Sequence, residues 1–98
     1  MARQEYDIKP ITINGRIISR VTIDEHVRKH PDISDELILK LVAKLDGSRL
    51  VPEDAKAPFE YFGTLIEYEG KQYRMVWLLE KSEIYIGIIT VYRDDRSK

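Results

Sequence analysis

The sequence predicts an α+β fold, and three stretches carry that expectation. Residues 72–93, QYRMVWLLEKSEIYIGIITVYR, form two apolar runs split by the charged Glu80-Lys81-Ser82-Glu83. Both runs are rich in Ile, Val, Tyr and Trp and lack Pro, as expected of two strands of a central hairpin. Residues 6–13 and 16–23 flank Asn14-Gly15. That dipeptide supplies the two positive-φ residues of a type I′ hairpin turn. Residues 35–46, DELILKLVAKLD, place Leu37, Ile38, Leu41, Val42 and Leu45 on one helical stripe, with Lys40 and Lys44 facing away.

In chain order, the opening hairpin has Ile11 and Ile13 on one side of its first strand, and Ile17, Val21 and Ile23 on one side of its second. Pro10 lacks an amide and suits an edge strand. Asp24 reads as the N-cap of a short helix, EHVRKH, which Pro31 ends. Ser34 caps the longer helix, Asp35 and Glu36 fit its positive first turn, and Gly47 fits its end. Residues 48–58 read as a loop. FEYFGTLIEYEG then starts a meander that turns at Glu69-Gly70-Lys71. The expected order is β-β-α-α-β-β-β: one domain over residues 1–98, a twisted antiparallel sheet with a helix packed on one face. Met75, Trp77 and Leu79 alternate on the side expected to face the core.

Composition narrows the function classes. The 98 residues carry a net charge of -1, so a strongly basic nucleic-acid binder is not indicated, and contact with nucleic acid requires a local positive patch. The absence of cysteine removes disulfides, zinc thiolates and thiol nucleophiles, and sets cytoplasmic as the expected location. No signal-peptide pattern or membrane-length apolar run is present. There is no glycine-rich phosphate loop, and neither Ser19 nor Ser34 sits in a nucleophile-elbow context.

The candidate chemical groups fall in two places. His26 and His30 lie i, i+4 in HVRKH with Arg28 and Lys29 between them, a basic cluster with imidazoles that titrate near neutrality. The plain alternative is a solvated helix face. Two histidines at that spacing can also bind zinc, but no third ligand is fixed by spacing, so no metal site is assigned. In the hairpin, Arg74 interrupts an apolar strand with a planar fork matched to phosphate. Its structural alternative is an ion pair with Glu67, Glu69 or Glu80, and that of Arg93 a pair with Asp94 or Asp95. Thr90 and Tyr92 point to one side of the last strand. Whether Arg74 joins them depends on register. A two-residue loop at Lys81-Ser82 sets Arg74 opposite Ile89, and a three-residue loop sets it opposite Thr90, on a shared face. Lys-Ser is a poor primed turn and would oppose Glu80 to Glu83, which favours the odd loop or a bulge.

DEHVRKHPDISDEL, YRMVWLL and IGIITVYR together resemble the His-bearing helix, the "YR-apolar" strand and the closing strand of the RelE-like ribonuclease toxins, related to barnase and the colicin nucleases. The opening hairpin and the near-neutral charge differ from that group. The resemblance implies metal-independent endoribonuclease activity of a toxin–antitoxin type, without cofactor. A base takes the ribose 2′-proton, an acid protonates the leaving 5′-oxygen, and cations hold the charge. His26, Arg74 and Tyr92 take the catalytic roles. Arg28, His30, Thr90 and Arg93 are the substrate-binding residues. The partners implied are RNA and an antitoxin-like protein, with no membrane. The competing reading is a non-catalytic interaction module, an inhibitor or partner protein or a homodimer, motivated by the aromatic surplus of Phe59, Tyr61, Phe62, Tyr68, Tyr73 and Tyr85.

Overall fold

The computed structural model describes residues 3–25, 27 and 33–94. The chain is mostly β. A curled half-barrel of six strands carries one short helix between its second and third strands. The elements are β1 (Arg3–Ile13), β2 (Arg16–Asp24), α1 (Asp35–Ala43), β3 (Asp54–Lys56), β4 (Phe59–Tyr68), β5 (Lys71–Glu80) and β6 (Tyr85–Arg93). They form one sheet in the order β1-β2-β6-β5-β4-β3.

This overturns the expected fold class, the order β-β-α-α-β-β-β and the antiparallel sheet with a helix packed on one face. Three physical facts account for the difference. First, β2 and β6 pair in parallel, Arg20 with Tyr85 through Ile23 with Ile88, so the sheet is mixed. Periodicity assigns each residue a face but not each strand a neighbour. Second, Asp54-Ala55-Lys56 form an edge strand against β4 although all three are exposed. Backbone pairing alone holds this segment, which carries no apolar alternation to signal it. Third, Asp24 is the last residue of β2, with Glu25 and Val27 in a 3₁₀ turn after it. The short helix expected over 25–30 is not among the elements, and the remainder of HVRKH lies outside the described residues.

The helix that does form is shorter than 35–46. Ser34 caps it as expected, its hydroxyl accepting from the Leu37 amide at 3.1 Å. It ends at Ala43 because β1 captures the chain beyond it. The Leu45 and Asp46 amides turn back to the Val42 and Ala43 carbonyls, the tightened i→i−3 pattern that ends helices. The Asp46 carboxylate accepts from the Thr12 amide at 2.8 Å, and the Gly47 amide donates to the Thr12 carbonyl at 2.7 Å. At the other end of α1, the Tyr6 hydroxyl donates to Asp35. The helix therefore runs alongside β1, and Ile38, Leu41 and Val42 enter the core shared with Ile13, Ile18, Val21, Ile23, Met75, Trp77 and Leu79. No helix among the described residues is long and apolar enough to cross a membrane.

The Asn14-Gly15 turn is as expected, with φ of 53° and 77°. Asn14 also has a second role. Its side-chain oxygen accepts from the Leu50 amide at 2.6 Å, and its side-chain nitrogen donates to the Leu50 carbonyl at 3.0 Å. One residue closes the hairpin and pins the strap that leads from α1 to β3. Asn14→Ala removes both bonds, each contributing roughly 1 kcal/mol, and adds a left-handed backbone cost of about 1 kcal/mol. The expected loss is about 3 kcal/mol by urea unfolding. Asn14→Gly, which keeps the turn but not the bonds, should lose about 1–2 kcal/mol. A loss near zero for Asn14→Gly would show that the pinning contacts contribute nothing.

Candidate site on the outer face of the sheet

The face of the sheet turned away from the core is a grid set by register. One row runs Leu65, Arg74, Tyr92 across β4, β5 and β6. The next runs Gly63, Val76, Thr90. Tyr61, Leu78, Gly87 and Thr22 follow, the last on β2. Phe59 opposite Glu80, and Tyr85 opposite Arg20, complete the far end.

Neither expected hairpin loop is present. Strands β5 and β6 are joined by residues 81–84, and the register shifts between Val76 and Trp77, leaving Ile89 as the extra residue of a bulge. Below the bulge, Leu79 opposes Ile86; above it, Arg74 opposes Tyr92. The bulge restores the parity that a four-residue loop would have broken. Arg74, Thr90 and Tyr92 thus share the outer face, through a different pairing from the one the loop lengths suggested.

Arg74 is the anchor of this row. Its Nε lies 3.4 Å from Asp94 Oδ2, and the Asp94 side chain is only 6% exposed against 29% for Arg74. This single contact to a nearly buried carboxylate directs Nε inward and turns the terminal nitrogens away from Asp94. The two terminal nitrogens have no hydrogen-bond partner among the described residues and remain available for an anion. The hydroxyls of Thr90 and Tyr92 are likewise unengaged, and Tyr92 is 37% exposed. The ion pair foreseen for Arg74 exists, but with Asp94 rather than Glu67, Glu69 or Glu80.

Other expected residues are not gathered here. Arg93 pairs in register with buried Tyr73, so it belongs to the opposite side of β6 from Tyr92. His26, Arg28 and His30 lie outside the described residues. Their segment begins, however, where β2 ends. Ile23 is level with Ile88 in the parallel pair, so Asp24 and Glu25 continue toward the level of Ile89 and Thr90.

Two residues of the face escaped the sequence reading. Asp94 was expected as an ion-pair partner of Arg93, yet its amide donates to the Gln72 carbonyl at 2.9 Å, and it is buried against Arg74. Glu53 lay in a loop, yet its carboxylate covers Gly63, where an added Cβ would stand 2.9 Å from Oε2. A glycine inside a strand marks close approach by another group, and that was the available signal.

The aromatic surplus divides between the two faces. Phe62 and Tyr73 are in the core, whereas Phe59, Tyr61 and Tyr85 are half-buried on the outer face, with Phe59 and Tyr61 ring centroids 6.4 Å apart. A cavity of about 510 Å³ lined by Arg16, Pro58, Phe59 and Lys81 opens at that far end, away from Arg74. No protein-family model, curated protein or solved structure matches the chain.

Proposed function

We propose that the outer face around Arg74 and Tyr92 binds single-stranded RNA and that the chain is a metal-independent endoribonuclease of a toxin–antitoxin type. The observation that carries the reading is the Arg74 guanidinium, oriented by Asp94 and open at both terminal nitrogens, in one row with Tyr92 and beside Thr90. A planar fork suits the paired oxygens of a phosphodiester, and hydroxyls beside it supply further hydrogen bonds. Tyr92 and the half-buried rings of Phe59, Tyr61 and Tyr85 on the same face offer stacking surfaces for unpaired bases.

In this reading Arg74 holds the charge that builds on the phosphorane, and Asp94 positions Arg74. Tyr92 gives or takes a proton at the ribose or the leaving oxygen. His26 is its acid–base partner, with Arg28, His30 and Thr90 contacting substrate. Arg93, on the other side of β6, has no part in the site. A 2′-hydroxyl nucleophile restricts the substrate to RNA.

The first test is binding of labelled single-stranded RNA across a salt series. Arg74→Ala should weaken binding about tenfold, and the slope of log affinity against log salt should fall by about 0.7, the loss of one phosphate contact. An unchanged slope would remove Arg74 from the phosphate site.

One observation favours the second reading, an interaction module with a protein partner or a second copy. Leu65, across Arg74 from Tyr92 in the same row, is 51% exposed. Sedimentation of the pure protein separates the two. A dimer that Leu65→Glu dissociates would assign the face to protein association.

A further inference from the structure

The end of the sheet remote from Arg74 carries chemistry of the opposite sign. A cavity of about 470 Å³ opens there, lined in part by Glu5, Thr22, Phe59, Glu80 and Tyr85, one residue from each of β1, β2, β4, β5 and β6. Register sets Glu5 opposite Thr22, Phe59 opposite Glu80, and Tyr85 opposite Arg20. Glu83 and Ile84 join from the connection between β5 and β6. The volume lies within the roughly 300–1,000 Å³ usual for small-molecule sites.

Three carboxylates, those of Glu5, Glu80 and Glu83, face one guanidinium, that of Arg20, which gives the lining a formal charge of -2. Arg20 is already engaged, its Nε 3.3 Å from Asp7 Oδ1. Glu80 is held in place by the Tyr85 hydroxyl, which donates to its carboxylate at 2.6 Å. Glu5 and Glu83 are exposed, and their carboxylates have no hydrogen bond or ion pair among the described residues. An acidic cluster alone would be a solvated surface, but Thr22 adds a second observation. It is only 7% exposed, and its hydroxyl has no hydrogen-bond partner among the described residues. No fully enclosed side-chain oxygen lacks a partner among those residues, so this hydroxyl reaches open space, and Thr22 lines this cavity. Keeping such a group nearly buried without a bond is costly, which a ligand's donor would relieve.

Charge and spacing limit the occupant. A phosphate is repelled, and Glu80 lies six residues along β5 from Arg74, about 20 Å away. Among the described residues no group of three acidic or histidine side chains could hold one metal ion. Carboxylates that do not converge on one point, with the Phe59 ring and Ile84 beside them, suit positive charges joined by methylenes. The face of Phe59 also attracts an ammonium, and the Thr22 hydroxyl can accept from one.

We propose that this cavity binds a short aliphatic diamine, its ammonium groups shared among the Glu5, Glu80 and Glu83 carboxylates and the Thr22 hydroxyl, its methylenes against Phe59. The site is separate from the Arg74 row, and neither reading depends on the other.

The test is an amide NMR titration of the whole chain at low ionic strength with diaminobutane, butylammonium, butanediol and Mg²⁺. Diaminobutane should shift Glu5, Thr22, Glu83 and Tyr85, and the response should fade as salt is raised. Butylammonium should bind about tenfold more weakly, having lost one charged donor group. Butanediol and Mg²⁺ should leave these amides in place. Glu5→Gln with Glu83→Gln keeps size at two exposed positions and should abolish the response. Thr22→Val, with thermal unfolding checked, should weaken it about fivefold. Glu67→Gln, which removes the same charge from an exposed position outside the cavity, should change nothing. An equal response to butanediol or Mg²⁺, shifts confined to other parts of the chain, equal weakening by Glu67→Gln, or a response that survives the paired Gln variant would overturn the site.

Discussion

Trp77→Ala should destabilise the protein by about 3–5 kcal/mol, the range for truncating a large buried aromatic. Trp77 is 0% exposed and stacks on Phe62, with ring centroids 4.3 Å apart and planes 11° from parallel. Its indole nitrogen donates to the Thr64 hydroxyl at 3.0 Å. Phe62 and Trp77 are register partners on β4 and β5, so truncation opens a void at the centre of the sheet's inner face. Whole-domain stabilities are roughly 5–15 kcal/mol, so the variant gives up a large share of the total. Trp77→Phe should lose less, because a ring still covers Phe62. A loss under about 1 kcal/mol for the alanine variant, by urea unfolding, would contradict its place in the core.

The second large effect is on RNA cleavage. General acid–base assistance contributes about 10²–10⁴-fold, and His26→Ala should lower cleavage by something of that order. Arg74→Lys should also be damaging, because an ammonium keeps the charge but loses the planar fork. Asp94→Asn tests positioning separately. It leaves Arg74 charged but loosely held, so the rate should fall while the salt dependence of RNA binding is kept. Arg74→Ala takes the guanidinium away from the nearly buried Asp94 carboxylate and should cost about 1–3 kcal/mol of stability, so its cleavage must be measured well below its melting temperature. Cleavage unchanged in both His26→Ala and Arg74→Lys would take these residues out of the mechanism.

What could be read from the sequence is what local chemistry determines. Asn14-Gly15 announced its turn because both residues readily take positive φ, and both do; the turn read at Glu69-Gly70-Lys71 is also present, with Glu69 and Gly70 at positive φ. Ser34 announced the start of α1 because a hydroxyl before an apolar stripe has few other uses. The alternation of Met75, Trp77 and Leu79 identified the inner face of β5, and all three are buried, as is Tyr73 from the aromatic surplus. The rest depended on contacts distant in sequence. The parallel pairing of β2 with β6 rests on a match of two strands separated by the helix and the meander. Strand β3 is held by backbone bonds that its polar side chains do not advertise. The early end of α1 follows from Thr12 recruiting Asp46 and Gly47. At the site, periodicity placed Thr90 and Tyr92 on one face, but only the bulge at Ile89 brings Arg74 opposite Tyr92. Asp94 was hidden because a charged residue near a chain end resembles a solvated one until its carboxylate is seen under a guanidinium.

The measurement closest to the central claim is the chemistry of the cut ends. A labelled strand with one ribonucleotide set among 2′-deoxynucleotides is incubated with the purified protein in EDTA, beside an all-deoxy control, and the products are identified by mass. Attack by the 2′-hydroxyl predicts a 2′,3′-cyclic phosphate on one fragment and a 5′-hydroxyl on the other, at the ribonucleotide only, with cleavage lost in Arg74→Ala and the control intact. An uncut strand, a cut all-deoxy control, or fragments ending in a 3′-hydroxyl and a 5′-phosphate would contradict the assignment of this face to RNA cleavage.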